Sequence, residues 1–562
     1  MQDLLIRGGT VVDGTGAPGF EADVAIRDGR IERIGHDLDP AEAAEVIDAT
    51  GLVVCPGFVD IHTHYDAQII WDRRLSCSPW HGVTTAVLGN CGFGIAPMRP
   101  EHRTTAMRTL EKVEGMSFEA LSAGLGNEWE FTTFAEYLDV IEQRGPAVNV
   151  AALVGHTPLR LWVMGDDATE RAATEAEIDE MTDLARGAVA AGAIGLSTSM
   201  AATHHGHGGK PVPSRLAAFD ETDALVEAVA GAGAPFVQAA MGRGLFNEEF
   251  EDLAGRHDVT ITWTALLAGM TGKGKHWGYL RTAARQQDQG LRIVPQVACR
   301  PIMFEFRFDE PYPFELLDCF AEVRNADRDA KAEAYADPGF RERFRVESAP
   351  DARNVNADWA QRCVVSRHDP DPTLEERPLE EIAAERGMPP EDMALELALE
   401  SDLETRFRFA FLNHDAGEVR DLIRDTHAVI TLSDAGAHAD QLCDACWSTH
   451  LLGHWVRDEK ALTLEAAVHA LTQRPAQLVG LAGRGVLTEG MAADVVVFAP
   501  DTVGHAPLRR VADLPGGAER LLADPTGIHA VVVNGTVLRD DGGDRIESGG
   551  NLPGRLLRSG RG

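Results

Sequence analysis

The 562 residues contain 52 Lys and Arg against 88 Asp and Glu, which leaves a formal net charge of −36 at pH 7. This acidity argues against DNA, RNA or an anionic membrane as a partner, because each of these requires a basic face. Hydrophobic residues make up 44% and charged residues 25% of the chain, as in ordinary globular proteins.

The compartment is predicted from the N-terminus and the cysteines. The first residues lack a basic region followed by an apolar one, so we expect no secretory signal. The 8 cysteines are far too sparse for a disulfide scaffold. No apolar stretch reaches the roughly 20 uncharged residues of a membrane span. We therefore expect a cytoplasmic protein without a membrane partner.

Both ends of the chain have a sequence pattern typical of short strands joined by tight turns. Residues 1–57 contain the hairpin signal Asp28-Gly29, and residues 483–540 contain Asn534-Gly535, each between apolar stretches. Neither block is large enough to fold alone, so we expect both in one small composite β-sandwich. The Gly- and Arg-rich residues 541–562 are predicted to form a mobile C-terminal arm.

The region between them, residues 58–482, alternates short apolar runs with amphipathic helical stretches, which is typical of a parallel sheet or barrel. Eight candidate strands predict an α/β fold, a (β/α)₈ barrel of the TIM type, with its active site at the C-terminal strand ends. Residues 300–426 interrupt the alternation and are predicted to form an inserted cap. The strands are expected near 58–63, 83–89, 148–154, 193–198, 235–240, 259–264, 291–298 and 427–432.

The first of these strands ends in the strongest chemical motif, Phe58-Val59-Asp60-Ile61-His62-Thr63-His64. Alternate side chains of a strand point the same way, so His62 and His64 share one side. Two imidazoles at this spacing can bind one divalent metal. Alternatively they are polar residues that end a buried strand, but buried histidines then need other partners.

The last strand runs into Ser433-Asp434. If the first and eighth strands close the barrel, Asp434 lies beside the two histidines. Its carboxylate can then bind the metal or act as a base toward water. Taken alone, this aspartate would be better explained as the cap of the next helix, but together with the two histidines the functional interpretation is favoured.

These motifs resemble the amidohydrolase superfamily and, within it, the N-acyl-D-amino-acid deacylase (D-aminoacylase) family. The resemblance covers most of the chain outside the cap. It implies metal ligation by His62, His64 and Cys91, with Asp434 as general acid and base and zinc as the cofactor. Cys91 could instead be a small packing residue. Further matching stretches are Leu88–Gly92, Val113–Met116, Phe134–Leu138, Val154–Arg160 and Gly195–Thr198.

The sequence departs from that family at the second metal position. The family supplies one histidine from the fifth strand and one from the sixth, and neither predicted strand ends in histidine here. The fourth strand offers no lysine for a carbamate bridge. Three interpretations stay open: one metal ion held by His62, His64 and Asp434, which we favour; a site completed by other histidines; or a metal site that has been lost, in a protein that no longer hydrolyses anything.

Other histidines could complete the site. The Gly-rich loop after the fourth strand holds His204 and His205, and such a loop either binds metal or is simply solvated. His438, four residues after Asp434, could orient a ligand or contact substrate. His156, at the third strand end, has the same two interpretations.

An arginine is expected to recognise the substrate. Arg300 follows the seventh strand, where a guanidinium can clamp a carboxylate, and the D-glutamate-type deacylases resemble this chain in that position. Ser214 and Arg215 form a second candidate carboxylate site. Either arginine could instead pair with one of the many acidic residues.

The predicted function is hydrolysis of a C–N bond in an N-acyl (D-)amino acid or related carboxylated amide. The family also implies a homo-oligomer. One alternative is a cyclic amide or lactam hydrolase, or a lyase, on the same scaffold. The other is a metal-depleted barrel that serves binding or assembly.

Overall fold

The computed structural model describes residues 2–559 apart from 127, 315, 316, 325, 350–357, 440, 542 and 548. Eight short strands alternate with helices through the centre of the chain, and each overlaps one of the candidate strands. In the third of them, Leu153 separates two segments. The strands are Phe58–Asp60, Val83–Leu88, Asn149–Ala152 with Val154–Gly155, Leu196–Ser199, Phe236–Ala240, Thr260–Thr264, Ile293–Val297 and Val429–Ile430.

These strands pair in parallel, each with its neighbour along the chain, as in a TIM barrel. The first and eighth strands meet through a bridge between Thr63 and Ala435. Beside it the His64 N–H donates to the Ala435 carbonyl at 2.8 Å. The C-terminal ends of the first and eighth strands therefore adjoin, which is the condition on which the prediction for Asp434 depended.

Alternate residues of the barrel strands belong to separate buried clusters. Val59, Val87 and Ala151 lie in one cluster, and Phe58 and Leu88 lie in the other. Since successive side chains of a strand point to opposite faces, one face packs inside the barrel and the other packs under the helices. Among the residues described, no helix combines the length and apolar character needed to cross a membrane.

Some helices of the outer layer begin at a residue whose side chain caps them. Thr174 caps one of them: its Oγ1 accepts from the N–H of Glu177, and the Glu177 carboxylate accepts from the N–H of Thr174. Thr133 caps another in the same way. The helices packed on the barrel are Gln68–Trp71, Arg103–Glu114, Phe118–Leu125, Phe134–Arg144, His156–Met164, Glu175–Ala191, Phe219–Gly231, Asn247–His257, His276–Asp288, Ala416–Arg424, Trp447–His450, Leu451–Asp458, Leu464–Leu471 and Gln473–Leu478.

Strands from both chain ends lie in one sheet of nine strands. Val53–Pro56 joins the two ends, because it pairs in parallel with Gln2–Val11 and antiparallel with Val495–Phe498. The other members are Phe20–Arg27, Arg30–Gly35, Ala43–Asp48, Ile528–Val533, Thr536–Asp540 and Gly543–Asp544. Two small ribbons pair Gly504–His505 with Pro525–Thr526 and Arg509–Val511 with Arg520–Leu522.

A separate unit, here called the insertion, follows the seventh barrel strand and has its own core rich in Phe side chains. It is shorter than the predicted cap. Val419, Leu422 and Ile423 belong to the core of the barrel, because their helix leads into the eighth strand. The insertion comprises the antiparallel strands Ile302–Arg307, Cys363–Arg367 and Arg406–Leu412 and the helices Arg328–Ala336, Pro338–Glu347, Leu379–Arg386 and Pro390–Glu400.

The segment predicted as a mobile arm packs against the barrel instead. The N–H of Gly554 donates to the Pro146 carbonyl at 2.9 Å, and the N–H of Leu557 donates to the Val150 carbonyl at 2.7 Å. The Leu557 side chain is buried in the same cluster as Val59. The composition of this segment indicated mobility, but its leucines supply apolar contacts. Residues 542, 548 and 560–562 lie outside the described part.

Candidate metal centre

The two histidines of the first motif converge on Asp434 at the C-terminal ends of the barrel strands. Asp434 Oδ1 lies 3.1 Å from His62 Nε2 and 3.6 Å from His64 Nε2. Cys91 Sγ lies 3.5 Å from His62 Nε2. The ligating atoms of His62, His64 and Cys91 all fall within 4.8 Å of one another. Residues from the first, second and eighth strand ends thus meet at one point.

Backbone conformation directs two of these side chains into the centre. Cys91 has φ 56° in the turn after the second strand, and its N–H donates to Gln238 Oε1 at 2.5 Å. Asp434 has φ 44°, and the preceding Ser433 Oγ donates to the His62 carbonyl at 3.1 Å. Positive φ is uncommon outside glycine, so the surrounding hydrogen bonds hold the chain in these conformations.

The Nδ1 atom of each histidine, on the side of the ring away from Asp434, also contacts a side-chain oxygen. His62 Nδ1 lies 2.7 Å from Gln296 Oε1, while the amide nitrogen of Gln296 donates to Thr262 Oγ1. His64 Nδ1 lies 3.0 Å from a carboxylate oxygen of Glu114. The Gln296 amide oxygen can only accept, so it favours the proton on Nδ1 of His62 and leaves Nε2 for a metal, and the Glu114 carboxylate favours the same tautomer of His64.

The histidines and the acidic groups of the centre shift each other's pKa values. Burial opposes protonation of His62, but attraction to Cys91 and the hydrogen bond to Asp434 raise its pKa to about 10. Burial likewise opposes ionisation of Cys91, yet the two histidines lower the pKa of its thiol. For Asp434, their hydrogen bonds outweigh burial and hold the pKa well below its usual range. Thiolate, imidazole and carboxylate in this arrangement fit a zinc ion.

A cavity of about 350 Å³ opens beside this centre. Its lining includes Ala240, Thr264 and Ala265 at the ends of the fifth and sixth strands, so no histidine stands there, as the sequence indicated. Among the described residues that line it, none is Lys or Arg. The cavity is largely apolar, and its apolar members are Ala201, Ala202, Ala240, Met241, Ala265, Leu267, Met270, Ile302, Phe304, Phe411, Leu412, Leu432 and Leu442.

Of the additional histidines, the structure brings two to this cavity. His204 and His438 line it, whereas His205 is exposed and contacts the Thr203 carbonyl. His204 Nδ1 lies 2.7 Å from Ser199 Oγ, and burial lowers the pKa of its imidazole to about 3.

Arg300 does not reach the cavity, although the sequence predicts it as a carboxylate clamp. Its guanidinium is 7% exposed, contacts Cys446 Sγ, donates to the Cys443 carbonyl at 2.8 Å and lies 3.1 Å from Asp444. The seventh strand ends at Val297, and the chain then turns toward the insertion. Arg300 therefore joins the barrel to the loop after Asp434.

His156 and the second candidate carboxylate site also have structural partners. His156 is fully buried: its ring nitrogens lie 2.9 Å from Thr198 Oγ1 and 2.8 Å from Glu221, so no donor is left for substrate. Ser214 is buried and donates to the Ser199 carbonyl. Arg215 donates to the His204 carbonyl at 2.9 Å. The last two residues support the loop that carries His204.

Glu114, Gln296 and Gln238 are the residues of the centre that the sequence interpretation missed. Glu114 lies within Val113–Met116, a stretch that carries the family resemblance, but nothing in the sequence of that stretch indicates a contact with His64. The two glutamines are polar residues in otherwise apolar strands, which is the signal that could have found them.

The fold and the centre define a barrel protein in which two histidines and a cysteine are close enough to bind one metal ion, an arrangement suited to the activation of water and carbonyl groups. A model of the amidohydrolase family matches residues 45–539. The D-aminoacylase of Alcaligenes xylosoxydans xylosoxydans is 31% identical over 535 residues, covering 95% of this chain and 93% of that protein. The chain belongs to the amidohydrolase family.

Two solved structures are also similar. One, from work on the binuclear metal centre of D-aminoacylase that describes one-metal activation and second-metal attenuation, has a TM-score of 0.67 and 28% identity, covering 99% of this chain and 100% of that chain. The other is N-acyl-D-glutamate deacylase from Bordetella bronchiseptica with zinc and a phosphonate inhibitor. It has a TM-score of 0.65 and 27% identity, covering 99% of each chain.

Proposed function

We propose that the protein is a metal-dependent hydrolase of the amide bond in N-acyl-D-amino acids or closely related amides. The observation that carries this proposal is the cluster of His62, His64 and Cys91 at the C-terminal ends of the barrel strands, with Asp434 against both histidines. The similar D-aminoacylase and N-acyl-D-glutamate deacylase support the class of substrate.

The residues present fit one zinc ion held by His62, His64 and Cys91. When bound, zinc would act as a Lewis acid that polarises a carbonyl and acidifies water. The Asp434 side chain is 29% exposed and lines the cavity. Its carboxylate takes the proton of the attacking water and gives it to the leaving nitrogen, so that the C–N bond breaks without expelling an amide anion.

We propose one ion rather than two. A second ion would need ligands from the ends of the fifth and sixth strands. Ala240 and Thr264 line the cavity there, and neither is a histidine. In the part of the chain that the structure describes, His62, His64 and Cys91 are the one group of three suitable ligands within reach of one ion. The one-metal activation described for D-aminoacylase supports a single ion as sufficient for hydrolysis.

Elemental analysis combined with turnover tests this proposal. We expect about one zinc per chain in the wild type, and loss of zinc in the His62→Ala/His64→Ala variant. The Asp434→Asn variant, assayed with saturating zinc, should hydrolyse N-acetyl-D-amino acids roughly 10²–10⁴-fold more slowly. His205→Ala serves as the control, because this histidine is exposed and outside the cavity.

Three outcomes would contradict all or part of the proposal. A wild type that binds no zinc, even when zinc is supplied, favours the metal-depleted barrel. Unchanged turnover in Asp434→Asn removes the role given to this carboxylate. Two zinc ions per chain would leave hydrolysis in place but refute the single-ion centre.

A further inference from the structure

His204 is the one member of the His-rich loop, residues 203–210, whose ring contacts the core. Its ring packs on Phe93, with centroids 5.1 Å apart, and the Phe93 ring lies 6.2 Å from that of His64. His205 and His207 are exposed. The loop is exposed except at His204 and Gly206, and His204 is its histidine that lines the cavity beside the proposed centre.

The loop is held so that this ring stays in place. The His204 carbonyl accepts from Arg215 Nη1 at 2.9 Å, and the His204 N–H donates to the Ala201 carbonyl at 3.0 Å. Ser214 Oγ donates to the Ser199 carbonyl at 2.9 Å. The residues first considered as a carboxylate site thus fix His204 relative to the fourth strand.

The hydrogen bonds of Ser199 favour one tautomer of the His204 ring. Ser199 Oγ accepts from the N–H of Ala201 at 3.2 Å and lies 2.7 Å from His204 Nδ1. The hydroxyl proton of this buried serine needs an acceptor, and among the described contacts of Ser199 Oγ only Nδ1 can accept it. The neutral ring then carries its own proton on Nε2, as a donor toward the cavity. The pKa of His204, which burial lowers to about 3, is consistent with a neutral ring.

A hydrogen-bond donor on His204 would stabilise the charge that develops in the proposed reaction. Attack on an amide carbonyl moves negative charge onto its oxygen, and preorganised donors that meet this charge lower the barrier. A second ion would supply such stabilisation, but the cavity presents Ala240 and Thr264 at the strand ends that would hold it.

We propose that His204 is a catalytic residue whose Nε2–H donates a hydrogen bond to the substrate carbonyl oxygen as charge develops on it, in place of a second metal ion. The inference rests on the proposed amide hydrolysis. No covalent bond to His204 forms, and its proton stays on Nε2 throughout.

The test compares His204→Ala with His205→Ala in zinc-loaded protein. Removal of one such donor is expected to lower kcat on N-acetyl-D-leucine about 10²–10³-fold. KM and zinc content should change little, because the donor acts on the developing charge and holds no metal. Ser199→Ala, which frees Nδ1 to take the proton, should lower kcat in the same direction by a smaller factor.

A second readout is binding of an N-methylphosphonyl analogue of D-leucine, whose tetrahedral phosphorus mimics the charged intermediate. Its affinity should fall in His204→Ala by about the same factor as kcat, because an interaction made in the transition state also binds its analogue. A merely structural role for His204 would not weaken this compound selectively relative to N-acetyl-D-leucine.

The results separate this inference from the function on which it rests. If His204→Ala behaves like His205→Ala, or if it loses zinc, the inference is overturned while hydrolysis stands. If the wild type hydrolyses no N-acyl-D-amino acid, the proposed function fails. Binding of the phosphonate is then the measurement that tests the donor role of His204. Weaker binding in His204→Ala then supports the donor, and equal or absent binding in both proteins overturns it.

Discussion

The carboxylate of Glu114 lies 3.0 Å from Nδ1 of His64, and Asp434 lies on the Nε2 side of the same ring. Glu114 ends the helix Arg103–Glu114 and is 6% exposed. A carboxylate behind a metal-ligating histidine fixes the ring and makes its free nitrogen more basic. Glu114 is therefore a positioning residue of the proposed centre, although it does not face the cavity.

Replacing Glu114 with Gln should weaken zinc binding without unfolding the protein. Loss of such a partner lowers metal affinity by about 10–100-fold. Titration of the metal-free protein with zinc, in competition with a chelator, measures the effect directly. Glu119→Gln is the matched control, because Glu119 lies on the next helix and is exposed. Equal zinc affinity in both variants would contradict the role given to Glu114.

Arg300 should prove to be a stability determinant rather than a substrate clamp. It is buried and lies 3.1 Å from Asp444, whose carboxylate is also buried. Arg300→Met leaves this carboxylate without its partner, which costs about 3–5 kcal/mol. The double variant Arg300→Met/Asp444→Leu removes both charges and should recover much of the loss, because an apolar pair often replaces a buried ion pair well.

Thermal unfolding measures both Arg300 effects. Arg285→Met is the comparison, because Arg285 pairs with Glu251 at the surface and such a pair contributes at most about 1 kcal/mol. The opposite pattern, an unchanged Tm with a raised KM for a carboxylated amide, would restore Arg300 as the clamp.

The sequence was sufficient to bring His62, His64 and Asp434 together at the strand ends, but it did not predict the residues that surround them. His62 and His64 could be paired because a strand has a fixed period of two, and Asp434 could join them because a barrel must close. Neither argument reaches Glu114, which comes from a helix end whose distance from the first strand depends on tertiary packing.

Side-chain direction explains the predictions that differ from the structure. The position of Arg300 after a strand predicts a side chain in the cavity, but a chain that leaves a strand end can turn toward either the cavity or a neighbouring loop. His204 and His205 are adjacent in one loop, and only contacts with Phe93 and Ser199 separate the buried ring from the exposed one. The C-terminal segment is a similar case, since its composition does not predict which of its leucines pack against the barrel.

His81 should make the fold sensitive to acid. It is fully buried, with its ring nitrogens 2.8 Å from Thr449 Oγ1 and 2.9 Å from the Ala523 carbonyl, and burial lowers its pKa to about 3. In the unfolded chain a histidine has a pKa of about 6.5. Between these values the unfolded chain binds a proton that the folded protein does not. The stability from a neutral His81 is therefore present above about pH 6.5 and is lost as the pH falls toward 3, by about 1.4 kcal/mol per pH unit.

The His81→Gln variant removes this titration and retains a polar side chain. We expect it to be less stable than the wild type at pH 7.5, because two buried hydrogen-bond contacts change. The difference in Tm should shrink as the pH is lowered from 6.5 to 4.5, since only the wild type loses the contribution of His81. Calorimetric scans across this range measure the difference, and His205→Gln should follow the wild type throughout because His205 is exposed. Parallel curves for the wild type and His81→Gln would mean that His81 does not titrate in this window.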